Sequence, residues 1–453
     1  MRNLILIILL NLLSQVISAS PLKTEKYDWG NLQVTFVEDN RLPVYSVRFY
    51  FADGASSDSV KKAGETKMAF DLLTSGTRRF NQKEISDNLE YFGAGFGFDI
   101  THEYVVGGVS GLVKDIVPTM KQVCHLFNDS NYPVREIKKA KKLKIDGLKS
   151  MINNHGSIAD RAFREISMRG SEVSMPVGGK LKTIQKINQK GLRKKLAYFK
   201  DNVKKRIYLT GPSEMLKIKD IILNECGFNL NSSNYVRNIA PIKRSKTQKV
   251  VLVTVPKANQ AQVRMGRMLS QNEIENIPLL MLSSKFLGGG FTSQLMKSVR
   301  VKSGLSYSVG AFAAGQRGYG RSGISSFTKN KTILELISTI KTTVDEVSGK
   351  KFLPEELAAS RGYLIGSYPF NFESSIGFVD NLIQLDHAGV SWSEFYNLPK
   401  AVERLSSDDV AGKVSTLFPW KEQVVLVLGD RSLAKKLKKE YRQLQVLSWK
   451  SFL

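Results

Sequence analysis

The sequence predicts an α+β fold made twice: two duplicated domains, each an antiparallel sheet flanked by helices. Three observations carry that expectation. The strand-like segments alternate apolar and polar residues, which suits antiparallel sheets covered on one face. Helical segments with Gly or Pro at their ends separate them. Four pairs of segments also repeat in character at a period of about 215 residues, the mark of an internal duplication.

Each half opens on an alternating strand, VYSVRFYFADG from Val44 to Gly54 and QAQVRMGRML from Gln260 to Leu269. Each then runs through a helix into a glycine-bearing turn, KMAFDLLTSGT in the first half and LLMLSSKFLGGGFTSQL in the second. The stretches Leu89–Phe98 and Val299–Val309 match next, and both halves close on a strand reaching glycine, RIYLTG (Arg206–Gly211) and VVLVLGD (Val424–Asp430). Late helices are expected over Leu353–Tyr368, with Pro354 at the start, and over Ser406–Phe418, capped by Ser406 or Ser407. Residues 231–249 have the Asn, Ser and Pro content of a linker, so the expected domains are 20–230 and 250–453.

At 453 residues the chain has room for two domains, and 42% hydrophobic with 24% charged residues excludes disordered and fibrous classes. Residues 1–19 have the layout of a secretory signal peptide: Arg2, an apolar run from Leu4 to Leu13, then Ser18 and Ala19. The run is shorter than the roughly 20 residues a spanning helix needs, so export without stable membrane insertion is expected, into a bacterial periplasm. Cys124 and Cys226 are either one bridge in an oxidising compartment or two separately buried thiols. The formal charge of +26 favours anionic partners, and the basic run Arg135–Ser150 reads as a helix with a solvated face. No nucleic-acid reader accompanies it, so nucleic acid is not an expected partner. The four histidines, His102, His125, His155 and His387, are scattered without metal-ligand spacing and read as surface or satisfied core residues.

The stretch GETKMAFDLLTSGT (Gly64–Thr77), taken with LGGGFTSQLMKSVRVKSGLSYSV in the second half, resembles the pitrilysin or insulinase family of metallopeptidases, M16. The resemblance covers nearly the whole mature chain. It implies that active relatives carry H-x-x-E-H on the first helix, two His for zinc and a Glu as general base. The matching positions here hold Lys67, Phe70 and Asp71. The family's third ligand is a Glu some way downstream, and Ile137–Arg164 contains none. The resemblance therefore implies a degenerate zinc motif, with no metal and no cofactor in this chain. Lys67 and Asp71 stand one helical turn apart, and a solvated ion pair is their simple reading.

In RVKSGLSY, Arg300 and Tyr307 resemble the Arg/Tyr pair of active relatives, where Tyr donates to the oxygen gaining charge and Arg holds a substrate oxygen. The resemblance thus implies an exported subunit, inactive alone, that lends Arg300 and Tyr307 to a zinc-binding M16 partner. The two would form a heterodimer acting on a peptide or unfolded polypeptide, with zinc in the partner. Two other readings stay open: a structural subunit of an envelope complex, and a basic module that binds peptides without cutting them.

Overall fold

The computed structural model describes residues 22–231, 234–240 and 246–453. The expected signal peptide therefore lies outside the described residues, as does part of the expected linker. Two six-stranded sheets result, in the orders β1-β2-β6-β3-β5-β4 and β12-β7-β11-β8-β10-β9. The first comprises β1 (Thr24–Trp29), β2 (Leu32–Glu38), β3 (Val44–Phe51), β4 (Gly95–Ile100), β5 (Val105–Leu112) and β6 (Lys205–Gly211). The second comprises β7 (Lys249–Thr254), β8 (Gln260–Leu269), β9 (Val309–Gly315), β10 (Gly320–Lys329), β11 (Val424–Gly429) and β12 (Gln445–Ser448).

Equivalent strands begin at Val44 and Gln260, Gly95 and Val309, Val105 and Gly320, Lys205 and Val424, offsets of 214 to 219 residues. The duplication is therefore real in three dimensions. The sheets are predominantly antiparallel. The exceptions are β2 with β6, and β11 and β12 with β7, which pair in parallel. The halves differ at one edge, where the outermost strand comes from the N-terminal side in one sheet and from the C-terminus in the other.

Local signals account for the helices. Ser406, rather than Ser407, caps the helix Ser407–Leu417, its hydroxyl accepting from Asp409 N while the Asp409 carboxylate reaches back. Pro354 begins Pro354–Ser367, where a missing N–H costs nothing. Ile116–Asp129 and its counterpart Ile333–Ser348 each bury an apolar stripe against their own sheet.

The second face of each sheet is covered by the other half. The helix His155–Ser167 packs on β8 and β11, burying Ile158, Ala162 and Phe163 against Val251, Leu426 and Leu428. Its counterpart Ser375–Ala388 packs on β6, placing Phe378, Leu382 and Ile383 in the core of the first sheet. This exchange explains why β11 is apolar and buried at every position. It also corrects the one-faced reading of β8, whose Arg264 and Arg267 are buried at 8% and 5% exposure. Arg264 is accommodated there because it pairs with Asp160 of the exchanged helix, and Arg267 because Glu273 lies 2.6 Å away.

Candidate functional site

The degenerate metal-motif positions sit on the short helix Glu65–Asp71. Gly64 precedes it in the left-handed region at φ +99°, where a side chain would be strained. Asp58 anchors the helix start, accepting from the amides of Gly64 (2.9 Å) and Thr66 (3.0 Å) and from the Thr66 hydroxyl. Phe70, at the place of the general base, is 3% exposed. Its ring packs on Phe98 and Phe199, both at 5.1 Å, and on Phe51 at 5.6 Å. That position now belongs to the hydrophobic core.

Lys67 Nζ lies 2.9 Å from Asp71 Oδ1, and Lys144 Nζ lies 2.8 Å from Asp71 Oδ2. The half-buried cluster is therefore a carboxylate between two ammonium groups rather than the solvated pair expected from sequence. Lys144 arrives on the helix Val134–Ser150, one or two turns beyond Ile137 and Ala140 on the same face. Its position on that stripe was the available signal, obscured because a lysine there reads as solvated. Of the remaining basic residues of this helix, Arg135, Lys138, Lys139, Lys142 and Lys149 are exposed as expected, while Lys141 is half-buried and donates to the Gln185 carbonyl at 2.9 Å. Two ammonium groups offer no lone pair and repel a divalent ion, so these residues do not fit zinc. Among the described residues no group of three His, Cys, Asp or Glu side chains is gathered closely enough to hold a metal ion.

Arg300 and Tyr307 are brought together in the second half. Met296–Lys302 winds as a π-helix, with Ser303 N bonding to Ser298 O at 3.1 Å. Gly304, at φ +60°, then reverses the chain. Tyr307 follows in the loop entering edge strand β9, and the Arg300 guanidinium carbon sits 4.2 Å from its ring centroid. Phe291 supplies a second ring 5.4 Å from the same guanidinium, a contact that sequence reasoning missed. Both rings are open to solvent, Phe291 at 75% and Tyr307 at 71% exposure. Aromatic faces attract the cation and fix its plane. Among the described residues neither the guanidinium nor the Tyr307 hydroxyl has a hydrogen-bond partner, so both remain free to bind oxygen atoms of another molecule.

The two sites occupy related places. The Lys67 helix contacts β4, and the Arg300 turn contacts β9, the equivalent edge strands of the two sheets. The expected histidine roles hold for His102, which is buried, bonds the Met175 carbonyl at 2.8 Å, and faces Arg164 at 3.4 Å. Burial and then the Arg164 charge lower its pKa to about 4. His387 corrects that expectation. One ring nitrogen meets the Tyr50 hydroxyl at 2.8 Å, while Nε2 has no hydrogen bond and lies 3.6 Å from buried Glu103. Cys124 and Cys226 are joined as a disulfide spanning 102 residues, which resolves the two sequence alternatives.

Residues 207–364 match the family described as "Peptidase M16 inactive domain". Among curated proteins, the chain is 21% identical over 404 residues to the "Non-peptidase homolog YmxG" of Helicobacter pylori, covering 87% of this chain and 91% of that one. It is 19% identical to the "Uncharacterized zinc protease SCO5738" of Streptomyces coelicolor, covering 83% and 81%. Among solved structures, a peptidase M16 inactive domain from Pseudomonas fluorescens superposes with TM-score 0.81 at 19% identity, covering 90% of this chain and 98% of that one. A protease from Helicobacter pylori superposes with TM-score 0.79 at 15% identity, covering 90% and 100%. At such identities the structures speak for the fold alone.

Proposed function

The chain carries a peptidase M16 inactive domain, and from that premise we propose that it lends Arg300 and Tyr307 to a zinc peptidase whose H-x-x-E-H helix is on another chain. The observation that carries the reading is the Arg300–Tyr307 stack, 4.2 Å from guanidinium carbon to ring centroid, with the Tyr307 ring open to solvent beside an open sheet edge. In the complex, a peptide would approach β9. The Tyr307 hydroxyl would donate to the scissile oxygen as it gains charge, a contribution of about 3 kcal/mol for one such donor. Arg300, held in plane by two rings, would present its fork to a neighbouring substrate oxygen. The chemistry of metal and water activation would come from the partner.

Export to a bacterial periplasm is part of the proposal, supported by the composition of residues 1–19 and by the Cys124–Cys226 disulfide, which suits an oxidising compartment. The second reading, a structural or peptide-binding subunit without catalysis, draws on the Helicobacter pylori relative, which is named a non-peptidase homologue.

The deciding experiment mixes this chain with the zinc-bearing M16 chain of the same genome and assays peptide hydrolysis. Arg300→Ala and Tyr307→Phe should each lower the activity of the mixture tenfold or more while leaving complex formation intact. Unchanged rates in both variants would favour the structural reading.

A further inference from the structure

The exchange of helices leaves two clefts between the halves. One, of about 870 Å³, lies against Asn381, Gln384 and His387 of the helix Ser375–Ala388. The other, of about 750 Å³, is walled by Glu103, the helix bearing Arg161 and Arg164, and the β9–β10 hairpin bearing Phe312, Tyr319 and Arg321. The second cleft holds an unusual distribution of charge. Arg161 is engaged with the carbonyls of Phe452 and Gly179, and Arg264 with Asp160. Arg164 faces His102 and Tyr319.

Two groups are left over. Glu103 is 2% exposed, and neither of its carboxylate oxygens has a hydrogen-bond partner, the nearest basic group being His387 Nε2 at 3.6 Å. Arg321 lies over the Phe312 ring at 5.6 Å and, among the described residues, has no hydrogen-bond acceptor and no ion pair. Arg321 is half-buried; burial and the adjacent Arg164 charge lower its pKa to about 10, against smaller opposing effects of Tyr319 and Asp160. Glu103 and Arg321 line one cleft without forming an ion pair with each other. A buried carboxylate without a hydrogen-bond donor is costly, and a ligand placed between Glu103 and Arg321 would give each a hydrogen-bonded partner.

We propose that this cleft binds a small zwitterion bearing a carboxylate and a primary ammonium, a free α-amino acid or a short peptide. The carboxylate lies toward Arg321, whose planar fork suits it, and the ammonium toward Glu103. Tyr319 and Phe312 line the space between. Glu103 and Asp160 act against polyanions such as nucleotides. The site is separate from Arg300 and Tyr307 and stands whether or not the chain joins a peptidase.

The test is calorimetric titration of the full chain with each standard α-amino acid and with trialanine, beside N-acetyl-trialanine, trialanine amide and inorganic phosphate. At least one free amino acid or trialanine should bind. Acetylating or amidating a binding peptide should each weaken it tenfold or more, and binding of amino acids alone would identify the free acid as the ligand. Arg321→Gln should abolish discrimination against the carboxyl-blocked form, and Glu103→Gln discrimination against the amino-blocked form. Each variant removes a charged group that has no hydrogen-bond partner, so thermal midpoints should not fall. Should one fail to fold, the blocked ligands on the unaltered chain still decide. Absence of binding by every zwitterion, equal binding of free and blocked forms, or binding of phosphate alone overturns the proposal.

Discussion

Asp71 receives an ammonium on each carboxylate oxygen, from Lys67 at 2.9 Å and Lys144 at 2.8 Å. The cluster stands where the resemblance places the zinc of active relatives, and its cations are covalently part of the chain. Because the three side chains are about a quarter to a third exposed, water screens much of the attraction. Asp71→Ala should therefore destabilise the fold by about 1 kcal/mol in chemical denaturation, partly through repulsion between the two orphaned ammonium groups. Adding Lys144→Ala should recover part of that loss. Equal stability of all three proteins would mean that the cluster has no energetic role. The loss of the two histidines and the glutamate was legible in the sequence, through the resemblance, because it depends on residue identity alone. The role of Lys144 was not, because an interaction across 73 residues depends on how two helices pack. Likewise the pairing of Arg300 with Tyr307 was legible only through the resemblance, and Phe291 as the second ring not at all.

Among the elements, the exchanged helices carry most of the new information. Phe378 is fully buried in the core of the first sheet although its helix belongs, in sequence, to the second half. Phe378→Ala should cost about 3–5 kcal/mol. Hydrogen exchange should show the faster amides in β6 and β3, strands of the half that does not contain the mutation. Protection loss confined to residues beyond 250 would contradict the exchange. Neither exchanged helix was among those read from the sequence, and an apolar stripe in any case states that a face is buried and not against what. β8 shows the same limit. Gln260, Gln262 and Arg264 alternate as solvent-facing residues do, and Arg264 becomes buried where a helix from the other half brings Asp160 to it, while Arg267 points to the opposite face and meets Glu273.

For the whole molecule, the reciprocal covering makes each half part of the other's core, so the two halves should lose structure together. The residues gathered at their junction also tie stability to acidity. His102 has a folded pKa of about 4 because burial and the Arg164 charge oppose protonation. The unfolded chain takes up that proton near pH 6.5. A base with a depressed folded pKa makes the unfolded state the better proton acceptor. Stability should therefore fall as pH drops from 6.5 to 4, by up to about 3 kcal/mol at 1.4 kcal/mol per pH unit, and level off below. His102→Gln should flatten that part of the profile in denaturant titrations at several pH values. A variant whose profile follows that of the unaltered chain would exclude His102 as the cause.

The sequence by itself determined the duplicated α+β architecture and the helix caps and, through the resemblance, that the motif positions hold neither histidine nor glutamate. Those follow from local periodicity, from backbone chemistry near a few residues, and from residue identity. Tertiary structure alone decided which half covers which sheet, that Lys144 joins Asp71, and that Glu103 and Arg321 face one cleft without meeting. Each of these depends on the placement of segments distant in the chain, and residue spacing along a strand or helix holds no record of that placement.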